Sequence, residues 1–244
     1  MLPKPIFAIS YIKQPSTRKI IDGKEVFKEL KFRPYVVKEE KILMIAKESG
    51  EIRDIFNAVK QIVEACCEET NFNVDNIPSF DLEYIFLQLR AISVADIEPI
   101  IITENEVNEF TSNINFKDIN VVFPNDSNNI ITINSTTSLI MKYPTAELYK
   151  QSNEELLTKL RNKDFFDLVL SCIDSVYQGD VLVPMTPEEM KEFLDTLGIP
   201  VYKKMKDFLI NMPRLEYKFV YRTTETGEER SIKFSSLMDF FQFL

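Results

Sequence analysis

The apolar residues of this chain change period in blocks, from alternation to spacings of three and four and back, and this ordering constrains the fold more than any single motif. Ile6 to Ile12 is β-prone, Pro15 to Gly23 is turn-like, and Val26 to Val37 reads as a second strand interrupted by Pro34, which predicts a loose hairpin. Lys38-Glu39-Glu40-Lys41 then opens a helix whose apolar positions Ile42, Leu43, Ile45 and Ala46 run to a Ser49-Gly50 stop. A second helix is predicted from Glu51 to about Glu69, with Ile52, Ile55, Phe56, Val59, Ile62, Val63 and Cys66 on its buried face. Beyond an Asn-rich loop, Ser79 is placed to cap a third helix with Leu82, Ile85, Phe86, Leu89 and Ile92 in register.

From Pro99 to about Tyr143 the pattern becomes short β-branched runs separated by Asn, Asp and Ser turns, which predicts a small antiparallel sheet. Helices return after Pro144. Ser152-Asn153-Glu154-Glu155 has the form of a capping box, and Asp164 is placed to cap a helix from Phe165 to Tyr177 that stops at Gly179. Thr186-Pro187-Glu188-Glu189 joins an N-cap Thr, a Pro at the first helical position and a Glu three residues after the Thr. Gly198 ends that helix, and Pro200 restarts one that Pro213 halts. Leu215, Tyr217, Phe219 and Tyr221 alternate inward, the chain turns near Gly227 and returns through Ile232 and Phe234, and a short aromatic helix follows from Ser236. Segregated runs of strands and helices fit an α+β fold better than a doubly wound parallel sheet. The expected segments are 1–98, a hairpin plus three helices; 99–143, the small antiparallel β segment; and 144–244, a helical region with a terminal hairpin and aromatic tail. The three can pack as one domain.

Composition narrows the chemistry. With 244 residues, 45% hydrophobic and 27% charged, the chain is long enough for one large domain or two small ones without covalent staples. It has no His, which removes the commonest general base and the commonest transition-metal ligand. Its three cysteines, the adjacent Cys66 and Cys67 and a lone Cys172, form neither a disulfide framework nor a metal-ligand spacing, and suit a reducing cytosol. The five glycines stand singly, so no phosphate-cradling loop is built from them. Thirty-eight acidic against 29 basic residues give a formal charge of −9, and no window concentrates Lys and Arg with aromatics, so nucleic acid is a poor partner. No basic-then-apolar leader and no run long enough to span a bilayer is found, which argues against secretion and membrane insertion.

Five adjacent carboxylate pairs, Glu39-Glu40, Glu68-Glu69, Glu154-Glu155, Glu188-Glu189 and Glu228-Glu229, are the only candidates for carboxylate catalysis or metal binding. Neighbours on a helix point in different directions, and negative charge in a first turn is explained by the helix dipole. No catalytic, cofactor-binding or metal-ligating residue is therefore nominated, and the expectation is a non-enzyme without a cofactor. Two readings of the aromatic tail stay open: ordinary core, or a docking helix in which Leu237, Phe240, Phe241 and Leu244 share one face that can pack on the terminal hairpin, Met238 and Phe243 point elsewhere, and a second apolar face is left for a partner. Arg33 at the Arg33-Pro34 corner is a second candidate partner contact, since Arg is enriched among binding hot spots.

Several stretches carry a family resemblance. Leu30-Lys31-Phe32-Arg33-Pro34-Tyr35-Val36-Val37-Lys38-Glu39-Glu40-Lys41, continued by Ile42-Leu43-Met44-Ile45-Ala46-Lys47-Glu48-Ser49, resembles the signature of the T-even-type bacteriophage baseplate proteins, which include the baseplate hub subunit and the baseplate hub assembly catalyst. Similarities continue in order through Phe80-Asp81-Leu82-Glu83-Tyr84, Met141-Lys142-Tyr143-Pro144, Tyr177-Gln178-Gly179-Asp180, Met212-Pro213-Arg214-Leu215 and Leu237-Met238-Asp239-Phe240-Phe241. Some relatives carry a Cys-x-x-Cys-like pair in the terminal hairpin, where this chain has Tyr221, Arg222, Thr223 and Thr224. The resemblance implies a role in building the hub of a contractile tail in the host cell cytoplasm, as hub component or assembly chaperone, with other baseplate hub or tail proteins as partners. The competing readings are a cytosolic adaptor or chaperone unrelated to phage, and a carboxylate-dependent enzyme.

Overall fold

The computed structural model describes residues 6–104, 108–124, 129–146, 165–223 and 226–241. Helices and small antiparallel sheets make up the α+β fold anticipated from the blockwise periodicity. The chain divides into two compact units, one formed by residues 1–122 and 214–244 and the other by residues 123–213.

The first unit begins with the antiparallel strands β1 (Ser10–Ile21) and β2 (Lys24–Phe32). The turn is shorter and later than the Pro15 to Gly23 segment anticipated. Only Asp22 and Gly23 separate the strands, both at positive φ (51° and 73°), as two-residue hairpin turns require. Pro15 sits inside β1 because the register breaks around it: Gln14 faces Lys28 and Lys19 faces Val26, leaving Pro15, Ser16, Thr17 and Arg18 opposite Phe27 alone. Such a bulge tolerates a residue that donates no ladder hydrogen bond. The bulge is tied down: the Thr17 hydroxyl donates to the Gln14 carbonyl (2.7 Å) and accepts from the Lys28 amide (2.8 Å).

Three helices follow, α1 (Val37–Ser49), α2 (Ile52–Cys66) and α3 (Ser79–Ser93). Gly50 closes α1 in the left-handed conformation (φ 71°), a conformation that favours glycine at a helix end. Ser79 was the anticipated cap of α3, but Pro78 holds that position and Ser79 is the first helical residue, buried. Helix α3 is covered almost all round, with Leu82, Ile85, Phe86, Leu87 and Leu89 fully inside, and it packs against β1 and α2. A helix buried on all faces is the centre of its unit. After it come the hairpin β3 (Ile97–Glu104) and β4 (Asn108–Asn115), and the short β5 (Asn120–Val122).

The second unit contains β6 (Ile130–Thr132), β7 (Thr137–Met141), α4 (Phe165–Ser171), β8 (Ile173–Gln178), β9 (Val181–Val183), α5 (Pro187–Thr196) and α6 (Ile199–Ile210). Its strands form one antiparallel sheet in the order β6-β7-β8-β9. The helix anticipated from Phe165 to Tyr177 stops at Ser171, since Ile173 to Gln178 is the strand β8. There Ile173 and Val176 turn into the core while Asp174 faces solvent, and pairing with β7 prevails over local helix propensity. The anticipated Thr186 signal forms: the Thr186 hydroxyl accepts from the Glu189 amide (3.2 Å), and a Glu189 carboxylate oxygen accepts from the Thr186 amide (2.7 Å). The core gathers Leu139, Val169, Cys172, Val176, Leu194 and Met205. The capping box anticipated at Ser152 lies outside the described residues.

The chain returns to the first unit through β10 (Arg214–Arg222), β11 (Glu229–Phe234) and α7 (Leu237–Phe241). Strand β10 is the middle of a sheet ordered β11-β10-β5, in which Val122 faces Arg214. The runs between 99 and 143 therefore serve three sheets: β3 and β4 pair with each other, β5 pairs with β10, and β6 pairs with β7, which pairs in turn with β8. Runs of three to eight residues satisfy few backbone groups alone, and each takes its partner where the chain supplies an open edge.

Candidate functional site

Arg33 stands where β2 ends, and the structure uses it to lock three segments together. Its guanidinium donates to the carbonyl of Pro34, to Glu39 Oε1 and to the carbonyl of Ala65, each at 3.0 Å. Its backbone amide donates to the Cys66 carbonyl (3.0 Å), so the end of α2 is bound to the same corner. Glu39, almost fully buried, uses its other oxygen to accept from the Val36 amide at the start of α1 (2.9 Å). Burial works against the Glu39 charge, but the Val36 amide and Arg33 outweigh it and hold the carboxyl below its ordinary range. Burial likewise opposes the Arg33 charge, and the hydrogen bond to Glu39 with the surrounding carboxylates leaves its pKa above the usual value. The guanidinium keeps about one fifth of its side chain exposed (20%), so what it offers a partner is an edge already engaged by the protein itself.

The tail is built differently. Leu237, Phe240 and Phe241 share one face of α7, as the spacing anticipated, and all three are inside the first unit at 0%, 1% and 4% exposure. Phe240 sits among Phe234 (ring centroids 5.1 Å apart), Phe116 and Tyr217 (both 6.4 Å), and Phe241 stacks on Phe86 of α3 (6.1 Å). This face of the tail is packed within the first unit. Phe243 and Leu244 lie outside the described residues. Asp239 pins the start of α7 by accepting from the amides of Ser235 (2.7 Å) and Ser236 (3.0 Å).

Buried polar groups on α3 are the site feature the sequence reading missed. Asp81 accepts from the Ser16 amide (2.8 Å) and the Ser16 hydroxyl, fixing the β1 bulge onto the helix, and burial pushes its carboxyl up to about 6. Glu83 meets the Leu237 amide at the start of α7; burial foremost, with the Asp239 carboxylate beside it, raises its carboxyl to about 8. Arg90 donates to the Tyr35 hydroxyl (3.1 Å) and to Glu98 (2.8 Å), linking α3 to the corner and to β3. The signal was present as charges at 81, 83 and 90 inside a helix whose every face is apolar.

The remaining candidates are chemically quiet. Cys66 and Cys172 are buried and burial raises both thiols to about 11; Cys67 is also raised, by burial first. A thiol that holds its proton this firmly is a poor nucleophile at neutral pH. Among the described residues no group of three or more His, Cys, Asp or Glu is placed to hold a metal ion, and Glu154-Glu155 lies outside them. No described helix is long and apolar enough to cross a membrane.

The curated proteins and the solved structures hold no significant match to the chain. One protein family does match, that of the T4 bacteriophage base plate protein, and it aligns from residue 9 to residue 242. The alignment covers both compact units, from the first strand through the aromatic tail. The chain therefore belongs to the T4 bacteriophage base plate protein family.

Proposed function

We propose that this protein helps to build the baseplate hub of a contractile phage tail, by protein contacts and without chemical turnover, as a hub component or an assembly chaperone. The observation that carries the reading is the family alignment across residues 9–242. The chemistry agrees with it: the chain has no imidazole, the thiols keep their protons, and Arg33, partly exposed, braces a corner through three fixed contacts. The work is done in the host cell cytoplasm, and the partners are other baseplate hub or tail proteins.

The test is co-expression with the baseplate proteins of the same phage, followed by capture on the tagged chain. Recovery of at least one of them as a stable complex is expected, and recovery of none from a folded, soluble chain overturns the reading. Mass spectrometry of purified tails then separates the two roles. Peptides of this chain in the tails mark a component; their absence, in a phage that needs the chain to make tails, marks a chaperone.

A further inference from the structure

We infer that the distal half of the β1–β2 hairpin is a docking arm for a baseplate partner that presents an open strand edge flanked by carboxylates; the inference rests on the assembly reading above. The hairpin is two structures in one. Its proximal half carries Ile12, Leu30 and Phe32 into the core and lies against α3. Beyond the bulge, which Asp81 holds through Ser16, every residue from Lys19 to Val26 is exposed. The strand register nevertheless continues to the tip through the pairs Lys19 with Val26, Ile20 with Glu25 and Ile21 with Lys24, and the tight Asp22-Gly23 turn closes it. The arm is an ordered ribbon with its own protein on neither face.

The residues at its end define what fits there. Directly opposed residues share a face, so Lys19, Val26, Ile21 and Lys24 lie together, two branched apolar side chains flanked by two lysines and no acid. Ile21 is 52% and Val26 45% exposed, and Ile20 on the opposite face is 66% exposed. From Lys19 to Val26 the two lysines are matched in number by Asp22 and Glu25, so the arm is not basic as a whole; its positive charge is confined to the Lys19–Lys24 face, while Glu25 pairs with Ile20 on the other. The sheet is two-stranded; the outer edge of β2 is bridged to Cys67 at Phe32, and in the distal half no further strand among the described residues pairs with either edge, which leaves both open for main-chain pairing there. Lysine on an open edge discourages indiscriminate pairing with neutral strands. The same lysines favour a strand bordered by Asp or Glu, and small apolar side chains on it would cover Ile21 and Val26.

The experiment compares the wild-type chain with two full-length variants, Lys19→Glu/Lys24→Glu and Ile21→Ser/Val26→Ser, for capture of each purified baseplate protein of the same phage at low and high salt. Both variants should melt with the wild type, because every changed side chain is exposed. Capture of one baseplate protein should weaken about tenfold or more in each variant. Salt should weaken capture by the wild type and change that of the charge-reversed chain little or in the opposite sense. Full-strength capture by both variants overturns the arm and leaves the assembly reading standing. Failure of the wild type to capture any baseplate protein overturns both. Arm-dependent dimers of the chain alone in sedimentation velocity, with baseplate capture unaffected by the variants, also overturn it, because the arm then serves a second copy.

Discussion

The hairpin tip and the tail of the first unit are two apolar segments that the fold treats in opposite ways. At the tail, Leu237, Phe240 and Phe241 are buried, and aromatic rings from three other parts of the chain pack on Phe240 and Phe241. At the tip, Ile20, Ile21 and Val26 have no such cover. The difference lies in anchoring rather than hydrophobicity. Glu83 meets the first amide of α7 and draws the tail onto α3, whereas Asp81 grips the hairpin at its bulge and leaves everything beyond it free. Two acidic side chains two residues apart on one helix thus meet the start of the buried segment and the bulge that precedes the exposed one.

The comparison predicts effects of very different size. Phe240→Ala should cost about 3–5 kcal/mol, the range for emptying a buried aromatic site, and lower the melting temperature sharply by calorimetry or circular dichroism. A Phe240→Ala chain that melts with the wild type would show that the tail is not part of the core. Arg33→Ala should cost about 1.5–3 kcal/mol, since it strips one buried carboxylate oxygen of Glu39 and two carbonyls of a charged donor. Urea denaturation measures this, and Arg33→Lys should recover only part of it because an ammonium lacks the planar fork.

A subtler effect concerns Glu83. Its carboxyl titrates at about 8 when folded, against an ordinary 4.5, so the folded state holds a proton that the unfolded chain releases between those values. Its contribution is fully present below pH 4.5 and is lost as pH rises through 8. Asp81 behaves in the same sense but finishes near 6. Stability compared at pH 6.5 and 8.5 therefore isolates Glu83: the wild type should lose stability over that interval, and Glu83→Gln should flatten the loss. The smallest effect is expected at the tip, where Ile21→Ser/Val26→Ser should move stability by no more than about 0.5 kcal/mol per site. A large loss there would mean that the tip is covered after all.

What was legible in the sequence follows the range of the interactions. Thr186 to Glu189 could be read because both halves of the capping box lie within four residues, and α2 because its apolar stripe is local. The shared face of Leu237, Phe240 and Phe241 was legible too, but not what covers it, because Phe86, Phe116 and Phe234 come from separate elements. Strand β8 was hidden for the same reason: Ile173 to Gln178 is committed by pairing with β7, some 35 residues earlier. Pro15 reads as a turn in the sequence because proline marks turns and bulges alike, and the strand register beyond it and the long-range grip of Asp81 on Ser16 make it a bulge.

The pairing of Val122 with Arg214 gives the chain an order of manufacture. Residues 123–213 are an uninterrupted stretch inserted between two pieces of the first unit, so the ribosome completes the later unit before the earlier one. Until β10, β11 and α7 emerge, Phe86 and Phe116 on the nascent chain lack Phe241 and Phe240, and an apolar face waits uncovered. Premature termination anywhere in the last 30 residues should therefore leave the second unit complete and the first prone to aggregation, a vulnerability that a chain of two successive domains would not have.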